Sequence, residues 1–122
     1  MITHELNEQD GVLIISPQSP LQSSDFAALA EKIDPFIERK GGLNGLMILV
    51  ETFPGWENFA SMLSHLRFVR GHHQKIKKVA AVTDDKFLSI MPKVAGLFVK
   101  AEVRHFSFED KRAALEWLQS PQ

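Results

Sequence analysis

Hydrophobic and polar positions alternate in blocks along this chain, and the blocks have two different periods. Short β-prone runs at Ile2–Asn7 and Val12–Ile15 flank Asn7-Glu8-Gln9-Asp10-Gly11, which predicts a hairpin. Pro17 and Pro20 then stop the second strand. Phe26, Leu29, Ala30, Ile33 and Ile37 recur at three- and four-residue steps, the spacing of one buried helix face, with Ser23 or Ser24 as N-cap. Pro35 should kink or end that helix, and Gly41-Gly42 should close it. Leu46–Val50 is a continuous apolar run of strand length, as expected of a strand covered on both faces.

The helical period returns after Pro54-Gly55 in Trp56, Phe59, Leu63, Leu66 and Val69. Lys78–Val82 reads as another buried strand, Lys86–Val99 as a third helix despite Pro92, and Glu102–Phe106 as a last strand. Ser107-Phe108-Glu109-Asp110 is close to a capping box and opens a fourth helix to Leu118. The order is β-β-α-β-α-β-α-β-α. It predicts a single α/β domain over 1–122: a mostly parallel sheet with an N-terminal hairpin strand and helices packed around it.

Composition narrows the function classes. At 122 residues, 44% hydrophobic and 24% charged, the chain has the balance of an ordinary globular domain able to bury one core. A formal net charge of −1 gives no basic face for nucleic acid. Without cysteine there is no disulfide, thiolate metal site or cysteine nucleophile. The N-terminal residues carry no signal-peptide pattern, and no apolar run approaches the ~20 residues of a membrane span. A cytoplasmic protein, peripheral to the membrane at most, is the expectation.

In an open parallel sheet, ligands gather at the carboxyl ends of the strands. Those ends carry Glu51 and Thr52 after one strand and Thr83, Asp84 and Asp85 after the next. Glu51, Asp84 and Asp85 together could hold Mg²⁺ for phosphoryl chemistry; the plainer reading makes Asp84 or Asp85 a helix N-cap. The histidines, His4, His65, His72, His73 and His105, lack zinc-ligand spacing. His72 and His73 lie in a basic stretch with Arg70, Lys75, Lys77 and Lys78, which complements a helix C-terminus or attracts an anion weakly. No nucleophile elbow, phosphate-binding glycine loop or dinucleotide fingerprint is present.

The stronger signal is apolar. In Lys86–Val99, Phe87, Leu88, Ile90, Met91, Val94, Ala95, Leu97 and Phe98 surround most of the helix cylinder, and one sheet covers only one face. A second face needs another helix of the domain, a second subunit, an apolar ligand or a membrane surface. Phe53 and Trp56 lie on the adjoining loop, where aromatics mark recognition, and Met62 and Met91 add adaptable packing. Phe53, Trp56, Phe59, Phe87, Leu88 and Met91 are therefore the candidate ligand-binding residues. No catalytic residue, metal ligand or cofactor is expected.

Two motifs stand out: Lys78–Asp85 (Lys-Val-Ala-Ala-Val-Thr-Asp-Asp), and Ala101-Glu-Val-Arg-His-Phe-Ser-Phe-Glu-Asp followed by Ala113-Ala-Leu-Glu-Trp-Leu. Together they resemble the bacterial SpoIIAA-like family, which shares the fold of anti-sigma-factor-antagonist (STAS) domains. Leu46–Glu51 with its aromatic-rich sequel adds to the likeness, which spans roughly residues 2–118. The resemblance implies a sheet wrapped by helices, a homodimer, and relatives that carry apolar molecules or act at membranes. STAS antagonists use a phosphorylatable serine at the helix start after the middle strand. This chain has Phe53-Pro54-Gly55-Trp56-Glu57 there, and Ser61 falls more than a turn further on, so the phosphoserine switch does not carry over. The expected function is a non-enzymatic binding module with an apolar site. The alternative is a STAS-type regulatory module docking a protein partner without that switch.

Overall fold

Among the described residues five strands form one sheet in the order of the chain: β1 (Ile2–Asn7), β2 (Val12–Pro17), β3 (Leu43–Leu49), β4 (Ile76–Val82) and β5 (Glu102–Phe106). The structure is a computed structural model that describes residues 2–52, 76–84 and 102–120. Among these residues two helices accompany the sheet, α1 (Ser23–Lys40) and α2 (Lys111–Gln119), the latter entered through a 3-10 turn at Phe108–Asp110. The helices expected around 56–69 and 86–99 lie outside the described residues.

The sheet is mixed, which corrects the expectation of a mostly parallel one. β1 runs antiparallel to β2, while β2–β3, β3–β4 and β4–β5 are parallel. The hairpin dictates this, since a turn of a few residues can only reverse the chain. Gly11 takes φ 68° in that turn, and its N–H donates to the Asn7 carbonyl at 2.9 Å. The Gly11 carbonyl then accepts from the N–H groups of Asn44 and Gly45, tying the turn to the start of β3.

Alternation of side chains along the strands gives the sheet two apolar faces. On one, Leu13, Val79 and Leu46 meet α1 through Leu29, Ile33, Phe36 and Ile37. On the other, Val12, Met47, Ala80 and Val82 meet Ala114 and Leu118 of α2.

Pro35 neither ends α1 nor interrupts its buried face. An interior proline costs about 3 kcal/mol through its missing N–H and its clash with the preceding turn. Phe36 and Ile37, each 3% exposed, bury beyond it and recover roughly 1.5–3 kcal/mol apiece. The N-cap is Gln22 rather than either serine: Asp25, in the first turn, accepts the Gln22 N–H at 2.8 Å. The helix closes at Gly41, whose left-handed backbone (φ 85°) lets its N–H reach the Ile37 carbonyl at 2.7 Å.

α2 lies close to the sheet because Gly45 leaves room for it. A Cβ at Gly45 would come within 2.9 Å of Leu118 Cδ2 and 3.0 Å of Leu118 Cβ, and Leu118 is 2% exposed. Gly45→Ala is therefore expected to destabilise the fold by about 1–3 kcal/mol, the usual cost of overpacking. The loss would be read as a lower urea midpoint at unchanged slope.

Candidate functional site

The carboxyl ends of β3, β4 and β5 are joined by a set of hydrogen bonds centred on Thr83, which is fully buried. A buried hydroxyl must find partners, and Thr83 Oγ1 donates to the Glu51 carbonyl at 3.1 Å. The Thr83 N–H donates to the Phe106 carbonyl at 3.0 Å. His105 Nε2 lies 2.8 Å from the Thr83 carbonyl. A carbonyl only accepts, so Nε2 is the nitrogen carrying hydrogen. One residue thus holds the ends of three strands together.

The bonding continues one residue further. The Asp84 N–H donates to the Glu51 carbonyl at 3.2 Å, extending the β3–β4 pairing past the strand ends. The Asp84 carboxylate accepts the Phe108 N–H at 3.0 Å. Phe108 opens the 3-10 turn that leads into α2, so Asp84 caps the approach to α2 from another strand. Within that turn Ser107 Oγ donates to Asp110 Oδ2 at 2.9 Å.

Several sequence expectations are placed by this geometry. Glu51 and Asp84 lie beside one another through their backbones, and both are exposed. The Asp84 carboxylate is engaged by Phe108, a capping role at a different helix from the one expected. Asp85, the third proposed carboxylate, lies outside the described residues. Among the described residues no three histidine, aspartate or glutamate side chains gather as a metal site would require. All six candidate ligand-binding residues, Phe53, Trp56, Phe59, Phe87, Leu88 and Met91, lie outside the described residues, as do His65, His72 and His73. The segments that carry the six begin at residues 53 and 85, directly after Thr52 and Asp84. Those departure points are held together by the Asp84–Glu51 bond.

Sequence reasoning missed Thr83 and His105 as organising residues. The signal was present in the paired motifs: Val-Thr-Asp ends β4, Arg-His-Phe-Ser-Phe ends β5, and each supplies the other's hydrogen-bond partners.

The opposite end of the sheet is closed by a different polar cluster. A hollow of about 410 Å³ lies there, lined by Gln9, Asp10, Asn44, Lys77, Lys78 and Ser120 among others. Lys78 is 4% exposed, and its ammonium donates to the Trp117 carbonyl (3.0 Å), the Ser120 carbonyl (3.1 Å) and Ser120 Oγ (2.8 Å). It also lies 5.3 Å from the Trp117 ring centroid. A buried cation is tolerable here because it meets the negative end of α2 and satisfies that helix's terminal carbonyls. Asp10 Oδ2 accepts from Asn7 Nδ2 at 3.0 Å and Gln119 Nε2 at 2.8 Å, so the hairpin turn is fastened to the same helix end. Asp10, Asn44, Lys78, Gln119 and Ser120 bond to protein partners across this hollow, which makes it a clasp.

The sequence profile of the SpoIIAA-like family matches residues 12–119, and the chain belongs to that family. Among solved structures it is similar to an uncharacterized protein with a SpoIIAA-like fold from Shewanella loihica PV-4. The TM-score is 0.67 at 24% identity, over 97% of this chain and 92% of that one, a likeness of fold. Comparison with curated proteins gives no match.

If Asp84 serves as a cap, Asp84→Asn should hold stability close to that of the parent, because its amide oxygen still accepts from Phe108. Asp84→Ala should lose about 1 kcal/mol. Urea denaturation of both variants, with and without Mg²⁺, checks this. A Mg²⁺-dependent gain in the parent that Asp84→Asn abolishes would instead mark Asp84 as a ligand.

Proposed function

We propose that the chain is a non-enzymatic binding module whose apolar site is built from Phe53, Trp56, Phe59, Phe87, Leu88 and Met91. Its ligand is a lipid-like small molecule or the apolar layer of a membrane surface. The observation that carries this reading is the Asp84 N–H bond to the Glu51 carbonyl. It brings the starting points of the two aromatic- and methionine-rich segments to adjacent strand ends, where open α/β sheets take their ligands. The chemistry of the rim agrees. Asp84 accepts a backbone N–H, and His105 and Thr83 each meet a backbone carbonyl, so these three side chains have structural partners, which supports the reading.

A second reading is favoured by membership of the SpoIIAA-like family: a STAS-type regulatory module that docks a protein partner through the same apolar residues. Phe53-Pro54-Gly55 stands where the phosphoserine motif would be, so docking would not be controlled there by phosphorylation.

Native mass spectrometry of the freshly purified chain, followed by solvent extraction and mass analysis, tests the first reading. The expected result is a stoichiometric apolar compound that Trp56→Ala and Met91→Asp each lose, with the far-UV circular dichroism of the parent retained. A parent chain that carries nothing and does not sediment with phosphatidylcholine–phosphatidylglycerol vesicles would overturn it. A protein partner released by Met91→Asp would then support the docking reading.

A further inference from the structure

The two edges of the sheet are built differently. β5 is guarded: Glu102 and Arg104 stand exposed on it as an ion pair (3.9 Å), and the Arg104 guanidinium lies 4.8 Å from the ring centroid of Trp117 on α2. Such charges and a covering helix are how edge strands avoid pairing with other chains. β1 is less protected: its one acidic side chain, the exposed Glu5, has no oppositely charged neighbour on the strand, and among the described residues no helix residue is stacked on it as Trp117 is on Arg104. It contains no lysine and no proline, and its register with β2 runs without a bulge from Ile2–Pro17 to Asn7–Val12. Among the described residues its other side has no neighbouring strand.

The backbone groups on that open side can be assigned. The Gly11 carbonyl bonds to Asn44 and Gly45 and therefore points toward β3. Backbone groups alternate along a strand, so Leu13 and Ile15 also point toward β3, while Val12, Ile14 and Ser16 point toward β1. Their partners in the register are Asn7, Glu5 and Thr3. Pro17, which has no N–H, accordingly falls opposite Ile2, at a position where the ladder requires no donor from it. The amides and carbonyls of Ile2, His4 and Leu6 are left pointing outward.

We propose that β1 pairs antiparallel with β1 of a second copy about a twofold axis at His4, joining two sheets into one. The outward groups dictate the pairs: His4 with the partner's His4, and Ile2 with the partner's Leu6 in both directions. Each pair exchanges both backbone hydrogen bonds. Ile2 and Leu6 are half-buried apolar side chains on the same sheet face, so this register places apolar against apolar across the axis. Between these pairs, Thr3 stands opposite the partner's Glu5. A twofold axis at Glu5 also satisfies outward backbone groups, but it sets Glu5 against the partner's Glu5 at the closest cross-strand spacing, where like charges repel. The contact is isologous and closed, giving a dimer rather than a fibre. This inference does not rest on the apolar site.

Analytical ultracentrifugation of the full chain tests it. The parent should sediment at twice the 13.8 kDa chain mass. His4→Pro removes an N–H that β2 does not use, so the chain should keep its circular dichroism while dimer affinity falls at least tenfold. Register is tested independently by the double variant T3C/E5C in this cysteine-free chain. Thr3 and the partner's Glu5 form a pair without backbone bonds, with Cα atoms about 4.5 Å apart, within disulfide reach. Oxidation should give a covalent dimer that reduction reverses. A monomeric parent, an undiminished His4→Pro dimer, or oxidised T3C/E5C that stays at single-chain mass would each overturn the proposal.

Discussion

Thr83 sits where β3, β4 and β5 end, with no exposed surface, and the arrangement of that whole rim depends on its bonds. Its hydroxyl and amide fix the carbonyls of Glu51 and Phe106, and its own carbonyl fixes the ring of His105. The constraint is a matter of polar satisfaction in a buried place. A strand end normally releases its backbone groups to water, but Thr83 is buried, so its hydroxyl, amide and carbonyl must be met by protein. Meeting them prolongs the order of the sheet to Asp84, and the Asp84 carboxylate passes it on to the entry of α2.

The two ends of the sheet therefore do different work. At the amino ends of the parallel strands, Lys78 and Asp10 clasp the last turn of α2 and the β1–β2 hairpin, and the polar groups there are spent on one another. At the carboxyl ends, the rim is also bonded, and the two segments that carry the aromatic and methionine residues depart from neighbouring points. The proposed apolar site would draw on this bonded rim, because a pre-ordered base lowers the entropy that binding must overcome.

Much of the fold was legible in the sequence because it depends on local period and punctuation. The apolar runs gave β3 and β4, the Asp10-Gly11 turn gave the hairpin, and the spacing from Phe26 to Ile37 gave α1. What was not legible depended on partners distant in sequence. Pro35 was expected to kink or end α1, but the helix runs through it, with Phe36 and Ile37 buried beyond. Gln22 displaced the serines as cap through the position of Asp25. Lys78 read as part of a basic stretch at the C-terminus of the preceding helix, whereas the carbonyls it meets belong to the end of α2, some forty residues further on. At the candidate site, Glu51 and Asp84 were correctly placed at one rim. A capping role for Asp84 was foreseen but not the element it serves, because its donor is Phe108, on an element that no local pattern connects to β4.

Hydrogen–deuterium exchange of the intact chain, resolved by residue, tests the central claim most directly. If the Thr83 set holds the rim, the amides of Thr83, Asp84 and Phe108 exchange as slowly as those of the β3–β4 core, and Thr83→Val selectively accelerates Asp84 and Phe108. Exchange of these amides at the rate of free loops in the parent chain, with the strands protected, would contradict it.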